Sequence, residues 1–297
     1  MKVFVTGATG FVGSAVAVEL QYRGHDVLGL ARSERSANVL REAGLEVHLG
    51  DIADPESLIP ALDQVDAAIH TAFDHDFSRY EENCMADRRL LDALATALEG
   101  TNKPLIATSA TVVAGGSDPT TEQDGAVEQI PRSASEAFLG HFEGGVQTGV
   151  VRLPPTVHGS GDKAFIPALI ALARERGVSA YIETGGNRWP AVHRYDAARL
   201  FCDAVEQHRA GTRYHAVAED GIPFRDIAEA IGDGLGVAAE SVPADQAEAH
   251  FGWLAMFAAI DNPTSSQWTR KTVGWVPREA GLISDIQTAG YLDPPIH

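Results

Sequence analysis

A glycine-spaced turn stands between a short apolar run and an apolar helix at the start of the chain. Lys2 to Thr6 leads straight into Thr6-Gly7-Ala8-Thr9-Gly10-Phe11-Val12-Gly13, and the helical spacing begins at once. Glycines at these positions permit a tight turn and a close approach of the backbone, while the helix N-terminus offers free N–H groups and the positive end of its dipole. A pyrophosphate is the group that such a corner suits. The spacing is Gly-x-x-Gly-x-x-Gly, one residue longer at its first step than the common dinucleotide fingerprint, but it sits in the strand-turn-helix context that the fingerprint requires. Gly7, Thr9, Gly10, Phe11, Val12 and Gly13 are therefore expected at a dinucleotide.

The rest of the first half repeats the unit. Apolar strands are expected at Lys2 to Thr6, Asp26 to Leu30, Leu45 to Leu49, Ala67 to Thr71, Pro104 to Thr108 and Gly149 to Leu153. Helices are expected at Val12 to Arg23, Ser36 to Glu42, Pro55 to Leu62 and Glu81 to Leu98. Continuous apolar strands alternating with helices predict an α/β fold with a Rossmann doubly wound parallel sheet. After Leu153 the alternation gives way to helices at Ala164 to Glu175, Asp196 to His208, Phe224 to Leu235 and Gln246 to Ala258, with one or two isolated strands. Pro154, Pro155, Gly159 and Gly161 mark the transition. The reading is a dinucleotide-binding core over 1–153 and a smaller, mostly helical substrate-binding part over 154–297, forming one compact unit with a cleft between them.

Charge narrows the partners. With 23 basic and 41 acidic residues the net charge is −18, which disfavours nucleic acid and anionic membranes. Cys84 and Cys202 are too few for a disulfide scaffold or a cysteine metal cage, so a reducing compartment is expected. No signal peptide or apolar span is visible, and a cytoplasmic protein binding a small-molecule substrate is the expectation.

The end of the second strand reads Leu28-Gly29-Leu30-Ala31-Arg32-Ser33 where an NAD-preferring fold usually has an acidic residue. The Arg32 guanidinium can pair with a 2′-phosphate and Ser33 can add a hydrogen bond, so NADP (NADPH) is the expected cofactor. The alternative is a solvated loop arginine, and nearby Glu34 works against the electrostatic argument.

Several further stretches resemble the extended short-chain dehydrogenase/reductase superfamily, in its NAD-dependent epimerase/dehydratase group. They are Gly50-Asp51-Ile52, His70-Thr71-Ala72, Thr108-Ser109, Val151-Arg152-Leu153-Pro154, Val157-His158-Gly159 and Asn187-Arg188-Trp189-Pro190-Ala191-Val192-His193. The resemblance implies that Asp51 and Ile52 meet the adenine, that Thr71 and Ala72 line the cofactor, and that Pro154 and Pro155 lie by the nicotinamide. It also implies a Ser followed by a Tyr-x-x-x-Lys pair for proton transfer. Ser109 fits the first position, but no lysine lies between Lys103 and Lys163 and no tyrosine between Tyr80 and Tyr181. Matching Glu136 to the usual glutamate puts Gln129 and Ser133 in the two places. Asp87 stands where an asparagine is usual. The chain thus resembles an atypical subgroup that keeps the cofactor loop and lacks the dyad.

Catalytic candidates are then Ser109, to polarise a carbonyl; Asp87, as a buried acid with a raised pKa; and His193. Phe73, His75, His158, Tyr181 and Trp189 are candidates for substrate contact, with Trp253 and Phe257 completing an aromatic wall and Trp189 placed in a loop. Asp74-His75-Asp76 has metal-ligand chemistry but poor geometry for one ion, and no metal is expected. A C-terminal helix is expected at Ser284 to Leu292. The resemblance implies a four-helix dimer contact, but Ser133 to Glu143 is short and ends in Gly144-Gly145, so a monomer or weak homodimer is expected. The leading functional expectation is an NADP-dependent oxidoreductase acting on a small or medium carbonyl or alcohol with apolar bulk. The alternatives are an epimerase or dehydratase with retained cofactor and a non-catalytic dinucleotide sensor.

Overall fold

The computed structural model describes residues 1–293. Six strands of the first half, β1 (Lys2–Thr6), β2 (Asp26–Ala31), β3 (Glu46–Leu49), β4 (Ala67–His70), β5 (Pro104–Ala110) and β6 (Gln147–Leu153), fall where the apolar runs place them. The remaining strands are β7 (Thr156–His158), β8 (Val178–Ile182), β9 (Arg188–His193), β10 (Thr212–His215), β11 (Glu219–Pro223) and β12 (Ala238–Val242). A seven-stranded, wholly parallel sheet runs β10-β6-β5-β4-β1-β2-β3. Its strand order reverses between β1 and β4, the place where open α/β sheets bind ligands.

Burial explains the apolar runs: Val3, Phe4 and Val5 are all fully buried because helices cover both faces of β1. On one face lie α1 (Phe11–Tyr22), α2 (Glu34–Glu42) and, from the second half, α6 (Arg194–Gln207). On the other, α3 (Ile59–Leu62) and α4 (Tyr80–Leu98) pack Leu62, Leu90, Leu91 and Leu94 against Phe4 and Leu28, beside a 3₁₀ segment at Pro131–Gly144. The remaining helices are α5 (Phe165–Arg176), α7 (Phe224–Leu235), α8 (Ala247–Phe251), α9 (Ala255–Ala258), α10 (Gln267–Val273) and α11 (Leu282–Thr288).

The second half differs from its expected form in two respects. It contains a three-stranded sheet, β11-β9-β7, and a two-stranded one, β12-β8, where one or two isolated strands were expected. The single helix expected from Gln246 to Ala258 is broken, because Gly252 adopts φ +55° between α8 and α9. In addition, the chain returns to the large sheet after residue 153. β10 pairs with β6, and α6 lies along α1, tied by Arg23 Nη1 donating to Asp203 Oδ1 at 2.8 Å. No helix among the described residues is long and apolar enough to cross a membrane.

Candidate cofactor and substrate cleft

A cleft of about 960 Å³ opens at the C-terminal ends of β1, β4, β5 and β6, close to the upper end of the usual range for ligand pockets. Every position expected at the cofactor lines it except Ser33. The glycine loop forms a cradle that side chains would fill. Gly7 has φ +70°, and a Cβ there would stand 2.7 Å from Ala72 N; a Cβ on Gly13 would stand 2.1 Å from Gly7 O. Gly10 caps α1 without a side-chain acceptor for the first-turn N–H groups. Those donors, the open face of Gly10 and the dipole end fit a pyrophosphate. Thr71 Oγ1 donates to Thr6 O at 2.7 Å and pins the loop after β4 against the turn.

After β2 the Ser33 and Ser36 hydroxyls close a reciprocal cap on α2. Ser33 is the N-cap of α2, its Oγ accepting from Ser36 N at 3.3 Å, so its side chain is spent on the helix terminus. Ser36, one turn on, completes the capping box, its Oγ accepting from Ser33 N at 3.2 Å and donating to Ser33 O at 2.9 Å, and it lines the cleft with Arg32. Glu34 turns away to accept from Arg41 Nη1 at 3.2 Å, leaving Arg32 without an ion pair among the described residues.

Of the catalytic candidates, only Ser109 lines the cleft. Its Oγ donates to Glu136 Oε1 at 2.8 Å and accepts from Ser135 Oγ at 3.3 Å. Asp87 lies beneath the wall. His70 Nε2 meets its Oδ1 at 2.8 Å and Arg132 Nη1 donates to its Oδ2 at 2.6 Å. Burial opposes its ionisation, but Arg132 and His70 outweigh that and hold the carboxyl below its ordinary value, the reverse of the raised acid expected. His193 sits behind the cleft as the N-cap of α6, its Nδ1 accepting from Tyr195 N at 3.2 Å. Burial lowers its pKa. His158 is also behind the wall, with Nδ1 2.6 Å from Asp285 Oδ2, where it ties β7 to α11.

The aromatic wall is larger than the sequence reading had it. Phe73, His75, Trp189, Trp253 and Phe257 line the cleft, joined by Phe77, Tyr80 and Phe165. Phe77 stacks on Trp253 with centroids 5.4 Å apart. Trp189, expected in a loop, lies in β9 and is buried edge-on against Phe224. Tyr181 is not part of the lining; it sits on β8 beneath the Arg225 guanidinium. Asp74 and Asp76 spend their carboxylates on local turns and on Arg79, and no group of three metal-ligating side chains is found among the described residues.

Arg132 is a charged residue of the cleft that the sequence reading passed over. It reaches the cleft, and its Nη2 donates to Thr108 O at 2.9 Å. The available signal was its position one 3₁₀ turn before Ser135, which puts both on the side facing β5. Matching Gln129 and Ser133 to the missing dyad passed over it.

Comparison with known proteins agrees with this geometry. An uncharacterised protein of Schizosaccharomyces pombe is 47% identical over 98% of this chain and 100% of its own length. A 2-alkyl-3-oxoalkanoate reductase of Stenotrophomonas maltophilia is 27% identical over 76% of this chain and 73% of its own. The crystal structure of the dTDP-glucose 4,6-dehydratase DesIV from Streptomyces venezuelae superposes with a TM-score of 0.78 at 18% identity, covering 98% of this chain and 96% of that one, a likeness of fold. The model of one family matches residues 3–218, and with the glycine cradle at the head of a parallel sheet it establishes that this chain belongs to the NAD dependent epimerase/dehydratase family.

Proposed function

We propose that the protein is an NADP-dependent reductase of carbonyl compounds that carry an aromatic or branched apolar body. The observation that carries this reading is the continuity of one cleft: Arg32, the glycine loop, Ser109 and the Phe77–Trp253 wall all face the same space. Arg32 at the adenosine end supplies the charge that a 2′-phosphate takes, with Ser36 beside it in the lining. When bound, the reduced cofactor supplies hydride. The chain's own residues hold the pyrophosphate at Gly7–Gly13 and exclude water with aromatic side chains around the carbonyl. The S. maltophilia reductase supports the reaction class.

A second reading, a dinucleotide sensor, is favoured by one observation: the Ser109 proton is already given to Glu136. A panel of aromatic and aliphatic aldehydes and ketones assayed with 4-deuterated NADPH separates the two. Deuterium in the alcohol product is expected. Tight NADPH binding with no label transferred to any carbonyl would support the sensor instead.

A further inference from the structure

Arg132 brings a fixed positive charge to the cleft wall although only 5% of its surface is exposed. Two of the five guanidinium N–H groups are committed, one to Asp87 Oδ2 and one to Thr108 O, and three remain. The plane is set by Phe73, whose ring centroid lies 4.2 Å from Cζ. Support continues underneath. Asp87 is held by His70, and His70 Nδ1 meets Thr6 Oγ1 at 2.7 Å, so the cation is braced by β1, β4 and β5 together. A charge immobilised in this way needs no rearrangement when an opposite charge develops beside it. Ser109, next to Thr108, is poorly placed for the task because its proton points to Glu136.

We propose that Arg132 is a catalytic residue that holds the substrate's carbonyl oxygen and stabilises the negative charge forming there, taking over the part left by the absent tyrosine and lysine. The proposal rests on the reductase reading. The neighbours of the cation favour a substrate oxygen over a cofactor hydroxyl, since Phe73, His75 and Tyr80 belong to the aromatic lobe. Burial and then the Arg132 charge hold His75 below its ordinary pKa, and Arg132 offsets part of the burial that pushes Tyr80 up to about 12. Neither group competes with the guanidinium as a second cation or anion at neutral pH.

In the reaction the carbonyl carbon gains a hydride from the reduced nicotinamide, forming the new C–H bond. The π pair of C=O moves onto oxygen. That alkoxide takes a proton from water, and the hydroxide left behind is neutralised by buffer; the carbon ends reduced and the nicotinamide oxidised. Arg132 contributes charge and N–H donors only, because a guanidinium keeps its proton in proteins. Substrates of this class have an unhindered ketone or aldehyde oxygen at the end of a flat or apolar body.

The test uses two probes with one body: 2-naphthoate, standing in for the charged oxygen, and 2-naphthylmethanol, its neutral counterpart. Both are titrated by tryptophan fluorescence with NADP⁺ bound, and 2-naphthaldehyde serves for turnover. Because Arg132→Ala alone would leave Asp87 buried without its partner, the variants are Arg132→Lys and the double Asp87→Asn/Arg132→Gln. Wild type is expected to prefer the carboxylate by about 10- to 100-fold. The double variant should bind the two probes alike, keep NADPH affinity within about twofold and lose about 10²–10³ in kcat with KM little changed; Arg132→Lys should recover part of both readouts. If the double variant lost NADPH affinity and kept the carboxylate preference, Arg132 would be a holder of the cofactor and the proposal would fall. A kcat loss with the preference intact would mark a purely structural role and overturn it too. Wild type that reduces no carbonyl yet shows the preference would overturn the reductase reading and the catalytic role with it, leaving only an oxygen-anion site at Arg132.

Discussion

Arg152 grips Glu136 with two hydrogen bonds, Nε to Oε1 at 2.7 Å and Nη2 to Oε2 at 2.9 Å, and both side chains are buried. Arg213 Nε adds a third at 2.8 Å. Burial opposes ionisation of Glu136, but the two guanidinium groups outweigh it and hold the carboxyl below its ordinary value. A carboxylate depressed on folding contributes stability above its unfolded pKa and loses it as pH falls through the folded one. Arg152→Met leaves Glu136 buried with Arg213 as its one guanidinium beside the Ser109 hydroxyl and should cost about 3–5 kcal/mol by urea unfolding at pH 7. An unchanged midpoint would show that the pair contributes nothing.

The glycine loop separates fold from binding. A Cβ on Gly13 runs into Gly7 O, so Gly13→Ala should cost roughly 1–3 kcal/mol of stability whether or not cofactor is present. Gly10 meets only Gly7 O at 3.1 Å and otherwise faces the cleft. Gly10→Val should keep the thermal midpoint within a few degrees and abolish NADPH binding by calorimetry. Retained affinity would place the pyrophosphate elsewhere.

Cofactor choice should follow Arg32. Arg32→Ala is expected to weaken NADPH by about tenfold or more and NADH by less than twofold, since a hydrogen bond to a charged group is worth about 1.5–3 kcal/mol. Ser33→Ala and Ser36→Ala each remove one half of the capping box and should cost about 1 kcal/mol of stability, and Ser33→Ala should leave the ratio of affinities alone. Equal wild-type affinity for the two cofactors would remove the argument.

These contrasts show what a sequence discloses. β1, β2, β4, β5 and β6 are legible because each is buried along most of its length and so spells a largely apolar run, whereas β3, at the edge of the sheet, has no buried residue and follows from its place in the strand-helix alternation. β10 is four residues with polar ends, and β9 carries Pro190, so neither has that spelling. The glycine loop is legible because its chemistry is backbone chemistry confined to a few consecutive residues. Ser33 carried a legible cap signal, standing ahead of α2 with Ser36 three residues on, but its hydroxyl was read as a phosphate contact. Arg132 and Asp87 are 45 residues apart, and only the packing of the 3₁₀ segment on α4 brings them together.

His215 gives a second pH dependence. Its Nδ1 donates to Ser265 O at 2.8 Å, so Nε2 is left to accept from Arg152 Nη1 at 3.2 Å, and burial followed by that cation lowers the pKa to about 4. The unfolded chain takes up this proton near pH 6.5 and the folded one does not. Stability should therefore fall by on the order of 2–3 kcal/mol as pH drops from 6.5 towards 4. His215→Asn should flatten that part of the unfolding profile. An unaltered slope would assign it to other groups.

Trp253 is 55% exposed at the cleft mouth, stacked on Phe77. Trp253→Ala should raise the dissociation constant of 2-naphthylmethanol about tenfold, as expected for a lost aromatic contact and its buried area, with a stability change under about 1 kcal/mol. A large drop in thermal midpoint with unchanged probe affinity would make the residue packing alone.

The strand and helix that return to the large sheet have a mechanical consequence. The chain leaves the sheet at Pro154, comes back at Arg194 for α6 and β10, and leaves again after His215, so the two lobes are stitched together at several points instead of joined by one linker. A swing of one lobe about a single pivot would have to tear β10 from β6 or α6 from α1, along an interface of fully buried side chains such as Leu20 and Phe201. Ligand entry should then rely on side-chain and loop movements at the rim, and the two lobes are expected to melt together in one transition.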